Sequence, residues 1–449
     1  MDFEELGRNK VASKFLLDLF DFGVSKVQPK NILKDFLEVS NDKVTIKGTS
    51  KKTTYSKINK IIMICVGKAS VDMAETAKKI FSKSSLRLEQ KVLVVNKENY
   101  KKVSGFKCFV SGHPIPNSNG LIASKFIENK IGKLTKDDLV LIFVSGGGSA
   151  MLPYPVKSIS LKDKIETNKI LLESGANIRQ INSVRKHLSK IKGGNFIKMC
   201  SPAKVHGLIL SDVVGDDLGS IASGMTVCDN SSFFDALKIL KNYKILETIP
   251  QKVKKYLFQG CENSKLETPK KNNPIFKRVK NTLIGSNYQC IQNIKNLKKN
   301  IDSKIFFKDV DEDVEIFSRK FVKKLQKFNY DKPILLISGG ETTVKIKGNG
   351  KGGRNQEFAL HFLLEMNRKL PNKKFFLLSA GTDGRDGPTN AAGAIVNDSS
   401  LELIKKKKIK IIEELNNNNS YKVLKKINSL IIIKGTNTNV ADIQLLLLF

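Results

Sequence analysis

Residues 61–81 read IIMICVGKASVDMAETAKKIF: six apolar residues in succession, then Gly67-Lys68, then a run whose apolar positions recur at helical spacing. A short unbroken apolar run closed by glycine reads as a strand buried on both faces, and an amphipathic segment directly after it reads as a helix laid back across that strand. The same unit returns downstream, as KVLVVN at 91–96, as DLVLIFVSGGGS at 138–149 before an amphipathic stretch from about 160 to 190, and as VHGLILSD at 205–212. Strands alternating with helices are the mark of βαβ units, so the first domain is expected to be an α/β, Rossmann-like doubly wound parallel sheet.

Upstream, Phe15, Leu16, Leu19 and Phe20 share one helical stripe and predict an opening helix or two over 11–40, followed by a polar hairpin at 43–57. From about 242 to 280 the chain turns polar, punctuated by Pro and rich in Lys and Asn. The domain boundary is expected there, giving 1–245 as the first domain, 246–279 as a linker and 280–449 as a second α/β domain. The second set comprises TLIGSN (282–287), KIFFKDV (304–310), a helix over 312–328, PILLISGG (333–340), a strand TTVKIK (342–347), a helix from Arg354 to about Met366, KFFLLSAGTD (374–383), further helical segments, LIIIK (430–434) and IQLLLLF (443–449).

Over 449 residues there are 78 Lys+Arg against 43 Asp+Glu, a formal charge of +35, with 40% hydrophobic and 27% charged residues. No apolar run reaches the roughly 18 residues that would suggest a bilayer span, and the acidic start MDFEELGRNK lacks the order of a secretory signal. A cytoplasmic protein is expected. The lysines are dispersed without interleaved aromatics, which favours a basic soluble surface over a nucleic-acid partner. Six scattered cysteines and four histidines (His113, His187, His206, His361) offer no CxxC, HxH or HExxH pair, so a zinc centre is not expected.

In open α/β sheets ligands bind beyond the carboxyl ends of the strands. After LVLIFV stands Ser145-Gly146-Gly147-Gly148-Ser149, where consecutive glycines let backbone N–H groups converge as an anion cradle. Lys68, after the first strand, is placed to reach a phosphate as a point charge, although Ile62 occupies the glycine position of a Walker A motif. A literal GxGxxG at Gly348, Gly350 and Gly353 nominates a dinucleotide loop, but the alternation of Val344 and Ile346 with lysines describes a half-exposed strand, not the buried one that fold needs. Arg354, next in line, can grip a carboxylate or phosphate bidentately. Acids stand at strand ends: Asp212 with Asp216 and Asp217, Glu341, and Asp383 with Asp386. Carboxylates mixed with cations around a phosphate cradle suit magnesium–nucleotide chemistry. The segment INSVRKHLSKIKGGNF reads as a helix bearing Arg185, Lys186 and His187, ended by Gly193-Gly194.

Taken together, VGKAS, GHPIPNSNG, VSGGGSAMLPYP, INSVRKHLSKIKGG, LSDVVGDDLGSIASGMT, SGGETTVKIKGNGKGGRNQE, AGTDGRDGPTNAAGAIV and TNVADIQLLL resemble, in order from about residue 60 onward, the glycerate 2-kinase family with its MOFRL second domain. The resemblance implies a two-domain enzyme with its active site in the cleft between lobes, transferring the γ-phosphoryl group of ATP to D-glycerate with Mg²⁺, as a monomer or homodimer. It assigns catalysis to Lys68, Asp212, Glu341, Arg354 and Asn439. On the same reading the Ser145–Ser149 loop and Asp383 bind the nucleotide, and Asp212 and Glu341 hold the metal. Hydroxypyruvate reductase, a name the family also carries, is the alternative activity, and a basic nucleic-acid-binding protein is the alternative outside enzymes. Two departures stand out: Met225 where the family has proline, and KGTNTNV at 434–440 where it reads GPTGTNV.

Overall fold

The computed structural model describes residues 3–48, 51–131, 133–298 and 300–449. Two compact units divide it, Pro29–Ile284 and the pair Met1–Gln28 with Gly285–Phe449.

In the first unit, β1 (Leu37–Val39), β2 (Val44–Lys47) and β3 (Lys52–Tyr55) make a small antiparallel sheet. Its main sheet has six strands: β4 (Ile61–Val66), β5 (Leu88–Asn96), β6 (Lys107–Ser111), β7 (Leu139–Val144), β8 (Lys204–Leu210) and β9 (Val279–Gly285), in spatial order β6-β5-β4-β7-β8-β9. From β6 through β8 every pairing is parallel. This is the doubly wound order, and it reverses between β4 and β7. Both faces of β4 are covered. Ile62, Ile64 and Val66 pack toward Ala123, Ile127 and Ile131 of the helix Ser118–Ile131, while Ile61, Met63 and Cys65 on the other face are also buried. Burial on both sides is why the strand reads as continuous apolar sequence.

The second unit carries β10 (Asp302–Val310), β11 (Ile334–Gly340), β12 (Phe375–Gly381), β13 (Gly393–Asn397), β14 (Leu430–Ile431) and β15 (Asp442–Leu448), in order β10-β11-β15-β12-β13-β14. Only β10 and β11 pair in parallel; β15 runs antiparallel between β11 and β12. One face packs on a phenylalanine-rich core, with Phe317 and Phe321 from the helix Val314–Leu325 and Phe358 and Phe362 from the helix Arg354–Lys369.

The opening helix, Phe3–Lys26, buries its apolar stripe of Leu16, Leu19, Phe20 and Val24. It packs with this second unit instead of the expected first domain, against β12, β15 and the helix Asn287–Asn296. Gly23 permits the approach, since a Cβ there would lie 2.6 Å from Ile294. The physical reason is that a mixed sheet with a core on one face needs a cover on the other.

Other differences from the sequence reading follow the same logic. The expected linker 246–279 holds the helix Gln251–Glu262, and Val253 and Leu257 of that helix are buried with Leu237 and Leu240. TLIGSN, read as opening the second domain, lies largely in β9 on the first sheet. TTVKIK forms no strand beyond an isolated bridge of Thr343 with Asp313, because β11 already has β10 and β15 on its two sides. The helix carrying Arg185 ends at His187, and Gly194 caps the following helix Asn195–Cys200.

Candidate active site

The first cluster lies where the strand order reverses. Register pairs Val66 with Val144, and Val144 with Ile209, so Gly67-Lys68, Ser145 and Ser211-Asp212 leave β4, β7 and β8 at one edge. The two turns at β4 and β7 are stitched together: Ser145 N donates to Val66 O at 2.9 Å, Lys68 N to Gly146 O at 2.9 Å, and Ala69 N to Ser145 Oγ at 3.0 Å. Only glycine fits at 67, where φ is +119° and a Cβ would stand 2.3 Å from Ser145 Oγ. Ser145, the first residue of the expected nucleotide loop, is buried, and its hydroxyl is committed to this seam. Ser149 at the other end of the loop is held by Ser223 Oγ at 2.8 Å and by Lys192 Nζ at 2.7 Å.

His113 is the residue here that the sequence reading passed over. A Cβ on Gly147 would lie 3.0 Å from His113 Nε2, so the imidazole stands directly against the glycine loop. Burial, and then the positive charge of Lys68, hold its pKa down to about 4, which keeps the ring neutral. In the sequence it stands in GHPIP without the spacing of a metal pair. Asp217, grouped with Asp212 in the sequence, accepts from Gly219 N and Ser220 Oγ and so organises its own turn.

The second cluster forms at the edge of the mixed sheet. Asp442, the first residue of β15, pairs in register with Gly340 at the end of β11 and Gly381 at the end of β12. Glu341, Asp383 and Asn439 therefore gather around the start of β15, and Arg354 joins them from the first position of its helix. Arg354 grips the fully buried Asp442 with two bonds, Nε to Oδ2 at 2.5 Å and Nη2 to Oδ1 at 2.9 Å, while Nη1 lies 2.7 Å from Glu341 Oε1. Burial opposes the guanidinium's charge, but Asp442 and then Glu341 outweigh it and hold the group firmly protonated.

Asp386 caps this helix. Its carboxylate accepts from Asn355 N at 3.1 Å and Gln356 N at 3.0 Å, and a Cβ on Gly353 would lie 2.3 Å from it. Burial, and then the charge of Asp442, push Asp386 up to about 6. An acid raised on folding stabilises the protein below the ordinary carboxylate range and loses that contribution as pH rises through about 6. The unfolding free energy of the wild type minus that of Asp386→Asn should therefore fall between pH 4 and 7, by on the order of 2–3 kcal/mol, as read by urea titration.

The approach to Asn439 is held from two sides. Thr382 Oγ1 accepts from Val440 N at 2.9 Å and donates to Ala441 O at 2.7 Å. At the end of the opening helix, Thr438 Oγ1 donates to Val27 O at 3.0 Å and Gln28 Nε2 donates to Thr436 O at 3.0 Å. Asn437, at the glycine position of GPTGTNV, has φ +59°, a left-handed conformation that asparagine tolerates. Met225, where the family has proline, is buried beside Ile221 and Ala222 in the first core.

The GxGxxG glycines do not face a ligand loop. A Cβ on Gly348 or Gly350 would meet Asn417 at 2.2 Å, and Asn418 Oδ1 accepts from Lys347 N at 2.6 Å and Gly348 N at 3.1 Å. The asparagine run at 416–419, which carried no meaning in the sequence, is the partner of this segment. Among the described residues no three His, Cys, Asp or Glu side chains gather as a metal centre, and no helix is long and apolar enough to cross a membrane.

Comparison with known proteins agrees with this architecture. Residues 15–258 match the family described as "Domain of unknown function (DUF4147)", and residues 334–442 match the MOFRL family. The chain is 35% identical to a glycerate 2-kinase of Pyrococcus horikoshii, over 99% of this chain and 97% of that one. It is 38% identical to a D-glycerate 2-kinase of Thermotoga maritima, over 87% and 92% of the two chains. The crystal structure of a glycerate kinase from Thermotoga maritima superposes with a TM-score of 0.81 at 33% identity, covering 98% of this chain and 100% of that one. The chain belongs to the glycerate kinase family built from a DUF4147 and a MOFRL domain.

Proposed function

We propose that the protein transfers the γ-phosphoryl group of ATP to D-glycerate, giving 2-phosphoglycerate. The observation that carries this reading is the departure of Lys68 and the glycine loop from adjacent parallel strands where the strand order reverses, the position at which such sheets receive anionic ligands. Asp212 comes off the next strand at the same edge. In the transfer, a hydroxyl oxygen of glycerate bonds to the γ-phosphorus, the bond to the bridging oxygen breaks, ADP leaves, and the hydroxyl proton passes to Asp212. Such a reaction asks mainly for positioning and charge compensation, which Lys68 and Arg354 supply and Asn439 helps to orient. Mg²⁺ bound with ATP would offset the charge of the phosphates and would need only one or two protein carboxylates. Asp212 and Glu341 are each suited to that contact, and Asp383 to the nucleotide. Glu341 already shares the Arg354 guanidinium, so a metal contact there is bought by loosening that pair.

The reductase alternative loses its only motif, since the glycines at 348, 350 and 353 are spent on Asn417 and Asp386. Purified protein given ATP, Mg²⁺ and D-glycerate is expected to form a product that enolase consumes directly. No product, or one that enolase accepts only after a mutase has acted, overturns the assignment.

A further inference from the structure

Three cations are packed together behind the glycine loop of the first unit. Lys192 is 1% exposed, and its Nζ donates to Ser149 O at 2.6 Å and to Ser149 Oγ at 2.7 Å. Lys164 is 2% exposed, and among the described residues neither its Nζ nor the Nε of Arg185 has a hydrogen-bond partner. They come from three places in the chain: the helix Leu161–Glu173, the helix Ile178–His187 and the turn before Gly193. Each acts electrostatically within the group, Arg185 on Lys164 and both of these on Lys192, while no described carboxylate offsets any of them.

Burying an ammonium without a counter-charge costs several kcal/mol; the two bonds to Ser149 return part of it for Lys192, and no described hydrogen bond does so for Lys164. Such an arrangement is a mark of a site completed by a ligand. The neighbours are equally polar. Ser149 Oγ lies 2.8 Å from Ser223 Oγ, and Ser223 Oγ donates to Asn182 Oδ1 at 3.1 Å. Asn182 stands one helical turn before Arg185, so the two share a face. Ser149 and Arg185 keep partial exposure, whereas Lys164 and Lys192 lie beneath them.

We propose that Ser149 and Arg185 form the contact face of an anion site, that Lys164 and Lys192 charge it from beneath, and that its occupant is a phosphoryl group. This rests on the kinase reading for the source of the phosphoryl group, which is either the nucleotide or the phosphorylated product. A phosphoryl group brings close to two negative charges and three acceptor oxygens, and so can draw protons onto the depressed Lys164 and Lys192 beside Arg185 more strongly than the single charge of the glycerate carboxylate. The Arg185 fork suits it geometrically. Lys164 and Lys192 are positioning residues, acting through Ser149 and through the field they set up. Burial, and then Arg185, hold Lys164 down to about 7, the cost of waiting without the anion.

The test is calorimetric titration of the full-length protein with inorganic tripolyphosphate, with 2-phosphoglycerate and with D-glycerate, using wild type, Lys164→Met, Lys164→Gln and Arg185→Gln. At least one phosphorylated probe should weaken by about tenfold or more in each variant, with D-glycerate changed less than about twofold. The probe that weakens identifies the source. Ligand-free Lys164→Met should also melt higher than wild type, by about 2–4 °C, because a buried unpaired cation has been removed. Unaltered binding of both phosphorylated probes by the variants overturns the proposal, as does failure of the wild type to bind either one, or a loss confined to D-glycerate. A lower melting temperature in both Lys164 variants makes that lysine structural and overturns its role. A wild type that binds tripolyphosphate but converts no D-glycerate supports the anion site and removes the kinase reading instead.

Discussion

Arg354→Ala should lower kcat/KM for ATP-dependent phosphorylation of D-glycerate by about a thousandfold, the scale seen when a charged donor aimed at a transferring phosphoryl group is removed. The guanidinium has five N–H donors, and three are held by Asp442 and Glu341, which leaves the others for substrate oxygens. Because two carboxylates already share its charge, what it brings to a substrate is mainly direction. Arg354→Lys keeps the charge and loses the fork, so it should recover little of the rate. Arg354→Ala also removes both of the guanidinium bonds to Asp442, which is fully buried, at a cost of about 3–5 kcal/mol of stability. Combining Arg354→Ala with Asp442→Asn separates the two effects: stability should return and turnover should not. A folded Arg354→Ala protein with near wild-type turnover would refute the assignment.

Lys68→Met should cost about 10²–10³ in kcat in a protein that still folds, as read by turnover and far-UV circular dichroism together. Its backbone N–H is held by Gly146 O, a bond that does not depend on the side chain. The turn therefore keeps this backbone anchor when the side chain is replaced. An internal control is available in His113, whose pKa is held down partly by Lys68. In Lys68→Met the His113 ring should titrate closer to the usual histidine range, observable by NMR. If His113 is unmoved and turnover persists, Lys68 does not act on the glycine loop.

The parallel sheet was legible because burial on both faces leaves long apolar words such as IIMICV and LVLIFV. Charged and glycine-rich residues directly after those words marked the edge where Lys68, Asp212 and the loop emerge. Asp442 was harder to value, since a carboxylate at the head of LLLL declares neither its depth nor its partner. The Arg354–Asp442 pair spans 88 residues, and only the placement of β15 between β11 and β12 brings it together. TTVKIK misled because β-propensity is realised only beside a strand with a free side, and β11, which it follows, already has β10 and β15 as neighbours. Arg185 read only as one of three basic residues on a helix, because a lysine or arginine carries no sequence mark of being buried without an acid.

Local pattern alone determined the buried strands of the first sheet and their parallel arrangement, and which loops carry charge, for these follow from period and from the residues at strand ends. Tertiary structure decided ownership and pairing: that the opening helix covers the second sheet, that β9 completes the first, that Asn417–Asn419 hold the glycines, and that three cations share one interior. The reason is physical. An apolar stripe or a charged group specifies that it needs a partner, but which partner it finds depends on surfaces assembled from residues far apart in the chain.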